Sequence, residues 1–118
     1  MSRLPLLRFA PSPNGALHLG HAYSALYSAA KARELEGRLL LRIEDIDWLR
    51  CKPAYIEQIV EDLSWLGLQW PEPVWRQSEH MAAYTTALDR LDKLRLLYPC
   101  FCSRKQSAER ARDQDPDG

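Results

Sequence analysis

Two histidines, His18 and His21, follow a turn built from Pro11, Ser12, Pro13, Asn14 and Gly15 and open a run of apolar residues at helical spacing. Histidines three apart share one face of a first helical turn, where free N–H groups and the positive end of the dipole already favour an anion. If the α-phosphate of a nucleotide sits there, each imidazole can hydrogen-bond oxygens that gain charge as a carboxylate attacks, and each donor is worth about 3 kcal/mol in the transition state. Gly20 between them removes a side chain where a flat ligand could reach the backbone. A bare histidine pair at this spacing is more often an ordinary half-buried pair, and the Pro-x-Pro-Asn-Gly turn is what tips it toward a phosphate site.

A second set of reactive groups lies where two short apolar runs end, at Arg8 and at Glu44. Strand alternation puts Arg42 and Glu44 on one side, and open α/β sheets bind ligands at the carboxyl ends of their strands. A guanidinium holds a carboxylate in two hydrogen bonds and a carboxylate holds an ammonium group, so Arg8 and Glu44 together suit an amino acid. A structural Arg8–Glu44 ion pair without a ligand is the competing reading. Asp45 and Asp47 could hold magnesium through water, yet acids just past a strand more often cap or pair, and Arg50 is the near partner. Cys100 and Cys102 form a C-x-C pair, half of a tetrahedral zinc site, with only the distant Cys51 left among the cysteines.

These groups need elements to place them. Leu4–Phe9 reads as a strand, and Leu17–Leu35 as a helix with Leu19, Ala22, Leu26, Ala29 and Ala30 as its apolar face. Asn14-Gly15 supplies a turn in which φ can be positive, and Glu36-Gly37 ends the helix with a C-terminal glycine. Arg38–Ile43 reads as a second strand and Pro53–Leu66 as a second helix, with Pro53 in its first turn and Ile56, Ile59, Val60 and Leu63 at helical spacing. This βαβα order implies a parallel sheet. Pro71 and Pro73 make 69–74 irregular, Ser78 suits the N-cap of a helix over 79–94, and 98–102 reads as extended. From Ser103 onward the chain is polar, with no apolar face to offset the entropy of ordering. Trp48, Trp65, Trp70 and Trp75 suit core packing better than base stacking, and His80 has no evident partner.

Composition bounds the rest. The 118 residues are 46% hydrophobic and 27% charged, enough for one small domain with a core. Sixteen basic and sixteen acidic residues cancel, so contact with nucleic acid would rest on a local patch rather than a global field. There is no leading apolar stretch of signal-peptide or membrane-span length, which implies a cytoplasmic protein with no membrane partner.

Pro11 to His21 resembles the first signature motif of the class I aminoacyl-tRNA synthetases, with leucine at its second position, and Arg8-Phe9-Ala10-Pro11-Ser12-Pro13 is similar to the form found in the glutamyl group. Leu39 to Arg50 resembles that group's R-I-E-D-x-D-x-x-R, and Trp75-Arg76-Gln77-Ser78-Glu79 resembles its R-Q-S-E. The short passage from Trp65 to Val74 running straight into Arg76, with Ile46 in place of a common threonine and with Arg50-Cys51, is most similar to the glutamyl-Q tRNA(Asp) synthetases. The resemblance implies an α/β fold: the first half of a Rossmann-type doubly wound parallel sheet over residues 1–98, then the start of an incomplete, flexible zinc-binding insertion over 99–118. It implies ATP, with its Mg2+, bound by Pro11, Ser12, Pro13, Asn14, Gly15, His18, Gly20 and His21, with His18 and His21 catalytic. Glutamate would be held by Arg8, Phe9, Ala10, Pro11, Ser12 and Glu44, and Zn2+ by Cys100 and Cys102 with a tyrosine and a cysteine from further downstream.

The activity so implied is activation of glutamate to glutamyl-adenylate and its transfer to queuosine at the wobble position of tRNA(Asp), by a protein that is a monomer when complete. The chain has no lysine-rich loop of the kind that clamps the ATP phosphates in this class, so residues 1–118 resemble the front portion of a catalytic domain. An N-terminal fragment of an ordinary glutamyl-tRNA synthetase and a non-catalytic nucleotide- or RNA-binding remnant are the alternatives.

Overall fold

A computed structural model of the chain describes residues 4–114, with side chains through residue 111. The chain forms two compact units, the first ending at Met81 and the second starting at Ala82. The first carries strand β1 (Leu6–Phe9), helix α1 (Leu19–Glu34), strand β2 (Arg38–Ile43), helix α2 (Pro53–Trp65), the two-residue strand β3 (Trp75–Arg76) and a 3-10 turn over Gln77–His80. Helix α3 (Met81–Lys93) follows, and helix α4 (Arg104–Gln114) lies in the second unit.

The strands are parallel in the order β1-β2-β3. Register pairs Arg8 with Leu40 and Phe9 with Leu41 in one ladder, and Ile43 with Arg76 in the other. Alternation therefore sorts the side chains into two sets. Phe9, Leu39, Leu41 and Ile43 are buried and form the core with Ile59, Leu63 and Leu68, while Arg8, Leu40, Arg42 and Glu44 occupy the other face.

Helix α1 differs from the periodicity reading. Its buried residues are Ala25 and Ala32, with Ala29 packed beside them, whereas Leu19 is 86% exposed and Leu26 is also exposed. An alanine stripe lets the helix backbone approach the sheet closely, so the face is marked by small residues rather than large ones. Helix α1 ends in a Schellman motif, with Gly37 N–H donating to Ala32 O at 2.7 Å and Glu36 N–H to Arg33 O at 3.1 Å. The left-handed residue is Glu36, φ 52°, and not the glycine. Gly37 is required for another reason: a Cβ there would stand 2.4 Å from the Pro5 carbonyl oxygen, which accepts from Arg38 N–H at 2.9 Å as β2 begins.

Helix α2 begins with Pro53 in its first turn and buries Ile59 and Leu63, as its spacing implies. Ser78 does not cap the next helix. Arg76 precedes the 3-10 turn, and the Ser78 hydroxyl is bonded elsewhere. Residues 98–102 contain no strand. Where polarity argued against ordering, the structure has helix α4. Its start is a capping box: Gln106 N–H donates to Ser103 Oγ at 3.3 Å and Ser103 N–H to Gln106 Oε1 at 2.8 Å. Local propensity and the Lys105–Glu109 pair support it without an apolar face. Residues 115–118 lie outside the described residues.

Candidate active site

The turn between β1 and α1 is tied down at both of its prolines. Pro11 O accepts from Glu44 N–H at 3.0 Å, Pro13 O accepts from Lys52 N–H at 3.1 Å, and both proline rings are buried. Ser12 and Asn14 are exposed between and beyond these anchors, with Asn14 N–H donating to Ser12 O at 2.9 Å. Gly15 does not adopt positive φ, and a Cβ there would meet nothing within 4 Å. Nothing in the fold demands a glycine at 15, so the freedom expected of Asn14-Gly15 is not what the turn uses.

His18 is the N-cap of α1 rather than a residue within its first turn. Its Nδ1 accepts from Gly20 N–H at 3.1 Å, and His21 Nδ1 accepts from His18 N–H at 3.1 Å. This is a capping box made of two imidazoles, with ring centroids 3.8 Å apart. Because both Nδ1 atoms accept, both rings must carry their proton on Nε2 and be neutral. Burial, and then the neighbouring His18, push the His21 pKa below its ordinary value, in the same direction. Two Nε2–H donors are thereby left for a ligand. Gly20 serves the cap as well, since a Cβ would stand 3.0 Å from His18 Cε1.

Arg42 and Glu44 do share a side of their strand, and they form an ion pair. The pair considered from sequence, Arg8 with Glu44, is replaced by this one, and Arg8 stands exposed on the same face. Arg42 Nε is buried without a hydrogen-bond partner, leaving an unused donor beside Glu44. Phe9 packs in the core, so only its backbone can face a ligand, and Ala10 is half-buried beside it.

The acids after β2 act as partners, as the chemistry of such positions implies. Asp47 pairs with Arg50, with Nε donating at 2.7 Å. Asp45 is buried and accepts from Arg76 Nε at 3.2 Å, Arg76 Nη2 at 3.1 Å, Ser78 N–H at 2.9 Å and Ser78 Oγ at 2.7 Å. Burial alone would raise its pKa, but the bonds from Ser78 and Arg76 outweigh that and hold the carboxyl below its ordinary value. Sequence reasoning missed Arg76 and Ser78 as partners. They lie 31 and 33 positions away, and the motif that contains them was the available signal.

Two clefts adjoin these residues. One of about 300 Å³ lies between the starts of α1 and the end of α2, lined by Leu17, His18, Leu19, Ala22, Asp62 and Trp65. The other, of about 220 Å³, is lined by Asp45, Trp48, Cys51, Lys52, Arg76 and Ser78 among others. Trp48, Trp65 and Trp75 are exposed, against the core-packing expectation, and Trp70 alone of the four packs against the core. His80 has a partner after all, stacked on Trp75 at 3.5 Å.

Cys100 is exposed and Cys102 half-buried, with Arg110 Nη1 3.5 Å from the Cys102 sulfur. Among the described residues no three His, Cys, Asp or Glu side chains come together to hold a metal ion. The two thiols do not close a tetrahedral site by themselves, and zinc here would need ligands from beyond the described residues.

A parallel α/β sheet whose strands alternate with helices, with two imidazole Nε2–H donors at the start of α1, is the arrangement of a Rossmann-type fold. The family described as "tRNA synthetases class I (E and Q), catalytic domain" matches residues 6–116, and the chain belongs to it. It is 50% identical over 106 residues to a glutamyl-Q tRNA(Asp) synthetase of Rhodobacter capsulatus, covering 90% of this chain and 38% of that protein. It is 44% identical over 107 residues to glutamate–tRNA ligase 2 of Nitrosococcus oceani, covering 84% of this chain and 23% of that protein. Among solved structures it is similar to a glutamate tRNA ligase from Elizabethkingia meningosepticum in complex with its amino acid, with a TM-score of 0.69 at 32% identity over 94% of this chain and 24% of that one. The chain thus spans well under half the length of these relatives.

Proposed function

We propose that the protein containing this chain activates glutamate with ATP and passes the glutamyl group to queuosine at the wobble position of tRNA(Asp). The observation that carries the first step is the double-imidazole cap of α1, joined through the Pro11–Glu44 backbone bond to the carboxylate at the end of β2. An oxygen of the glutamate α-carboxylate attacks the α-phosphorus of ATP, the bond from that phosphorus to the bridging oxygen breaks, and pyrophosphate leaves with its electron pair. His18 and His21 stay neutral and donate from Nε2 to the phosphate oxygens, and neither need act as a base. Glu44 holds the ammonium group of glutamate, and Arg8 reads the side-chain carboxylate. Ser12, Asn14 and Gly15 lie where backbone and side-chain donors can meet the nucleotide, Gly15 leaving open space. The magnesium ion arrives with ATP as part of the substrate. Zinc held by Cys100 and Cys102 with further ligands would be structural.

The queuosine step is supported by the likeness to glutamyl-Q tRNA(Asp) synthetases of Rhodobacter capsulatus and, at 50% over 107 residues, Symbiobacterium thermophilum. A second reading, charging of a tRNA end as in an ordinary glutamate–tRNA ligase, is favoured by an equal 50% identity over 101 residues to glutamate–tRNA ligase 2 of Acidiphilium cryptum. Glutamate-dependent ATP–pyrophosphate exchange by the full natural chain separates them. Exchange without tRNA supports the glutamyl-Q reading, and exchange only with tRNA supports the ordinary ligase. ATP binding with no exchange under either condition overturns both. Among the described residues no helix is long and apolar enough to cross a membrane, and a cytoplasmic monomer fits the proposal.

A further inference from the structure

We infer that Asp45, acting with Arg76 and Ser78, is a positioning residue for the amino-acid site, holding Glu44 in the one orientation that meets the ammonium group of the substrate. The inference rests on the proposed reading of Glu44.

Glu44 lies beyond the last paired residue of β2, because the ladder with β3 ends at Ile43–Arg76 and the ladder with β1 ends at Phe9–Leu41. Past a ladder end the backbone loses the bonds that fix its direction. Glu44 keeps its N–H bond to Pro11 O at 3.0 Å, and its own carbonyl accepts the weak Cys51 thiol contact at 3.9 Å. The next residue is held far more firmly. The Asp45 side chain is 5% exposed and takes four hydrogen bonds from Arg76 at the end of β3 and Ser78 in the 3-10 turn that follows. Successive side chains of an extended segment point to opposite faces, so a carboxylate locked on the buried side sets the aim of the carboxylate on the open side. The Arg42–Glu44 ion pair then selects the rotamer within that aim. The latch replaces, with side chains, the ladder that stops one residue too early.

Loss of the latch should therefore loosen amino-group recognition while sparing the His18–His21 cap, whose bonds are all local to residues 18–21. The test measures ATP–pyrophosphate exchange by the full natural chain carrying Asp45→Asn, which keeps the size and removes the charge, with Ser78→Ala as the milder variant of an exposed residue. We expect KM for glutamate to rise about tenfold or more in Asp45→Asn, and less in Ser78→Ala, with KM for ATP changed less than about twofold. Arg76→Lys, which keeps a positive charge, should fall between the unsubstituted protein and Arg76→Met. Folded variants with unchanged glutamate KM, or with both KM values raised alike, would sink the inference and leave a purely structural latch. If Asp45→Asn does not fold, Ser78→Ala decides by the same split. If the unsubstituted protein shows no glutamate-dependent exchange either with or without tRNA, the glutamate reading itself fails and takes the inference with it.

Discussion

The end of β2 and the C-x-C turn both place two reactive groups close together, and they do so by opposite means. At the end of β2, Glu44 is tied to Pro11 and Arg42, and its neighbour Asp45 to Arg76 and Ser78, so the site is built by bonds within the chain. At Cys100 and Cys102 there are a hollow of about 480 Å³, an Arg110 contact and, among the described residues, no further metal ligand. On the proposed reading the first would hold organic substrates and must be rigid before they arrive, because misplacement is costly, whereas the second, if completed by a metal, would take its rigidity from the metal.

The largest expected effect tests the rigid side. Asp45→Ala leaves the Arg76 guanidinium and two Ser78 donors without their acceptor, and unfolding in urea should show a loss of about 3 kcal/mol or more. Unchanged stability would mean that the β2 end is no more braced than the cysteine turn. Next, Gly37→Ala forces a Cβ against the Pro5 carbonyl and should cost about 2 kcal/mol by the same measurement.

On the rigid side, acid should act in two steps, first at the α1 cap and then at the end of β2. The folded-state pKa of His21 lies below its ordinary 6.5, so its contribution to stability is complete above that pH and is lost as pH falls through the lower folded value. Asp45 adds a second loss further into acid, because its depressed pKa gives stability present above 3.8 and lost as pH falls below it. Melting temperature against pH should show both steps, and His21→Ala should remove the first. Gly20→Ala is expected to be nearly neutral for stability, since about 1 kcal/mol of helix propensity gained offsets about 1 kcal/mol of cap lost. Its exchange activity should nevertheless fall as the His18 ring is displaced. The smallest effect belongs to Cys100→Ser and Cys102→Ser, each within about 0.5 kcal/mol in metal-free protein. A bound zinc ion in the full natural chain, lost with either substitution, would show that the second site is completed as the comparison implies.

The sequence made the strand Arg38–Ile43 legible to the residue, because an apolar run between a helix stop and an acid cluster has little freedom of register. The Pro53 start of α2 was equally plain, as was the placing of Arg42 and Glu44 on one side, though their ion pair was not: the sequence offered Arg8 as the partner of Glu44. The face of α1 was legible only in part: Ala29 stood in the periodic set, but the leucines chosen with it are exposed and the buried Ala25 and Ala32 were passed over, because small residues carry little periodic signal. Helix α4 was not legible either: it has no apolar face, and its order starts instead from the reciprocal Ser103–Gln106 cap. The Asp45 latch joins residues more than 30 positions apart, and although the R-Q-S-E motif marked Arg76 and Ser78, nothing local to either segment says that they meet Asp45.

The reciprocal cap at His18 and His21 also bears on how this pair can change through evolution. Each ring holds a backbone N–H that shapes the start of the same helix, so replacing one alters the tautomer, tilt or placement of the other. The two rings act as one unit in the cap. A single substitution measures the collapse of the pair, not the worth of one ring, and the double substitution should cost much less than the sum of the two.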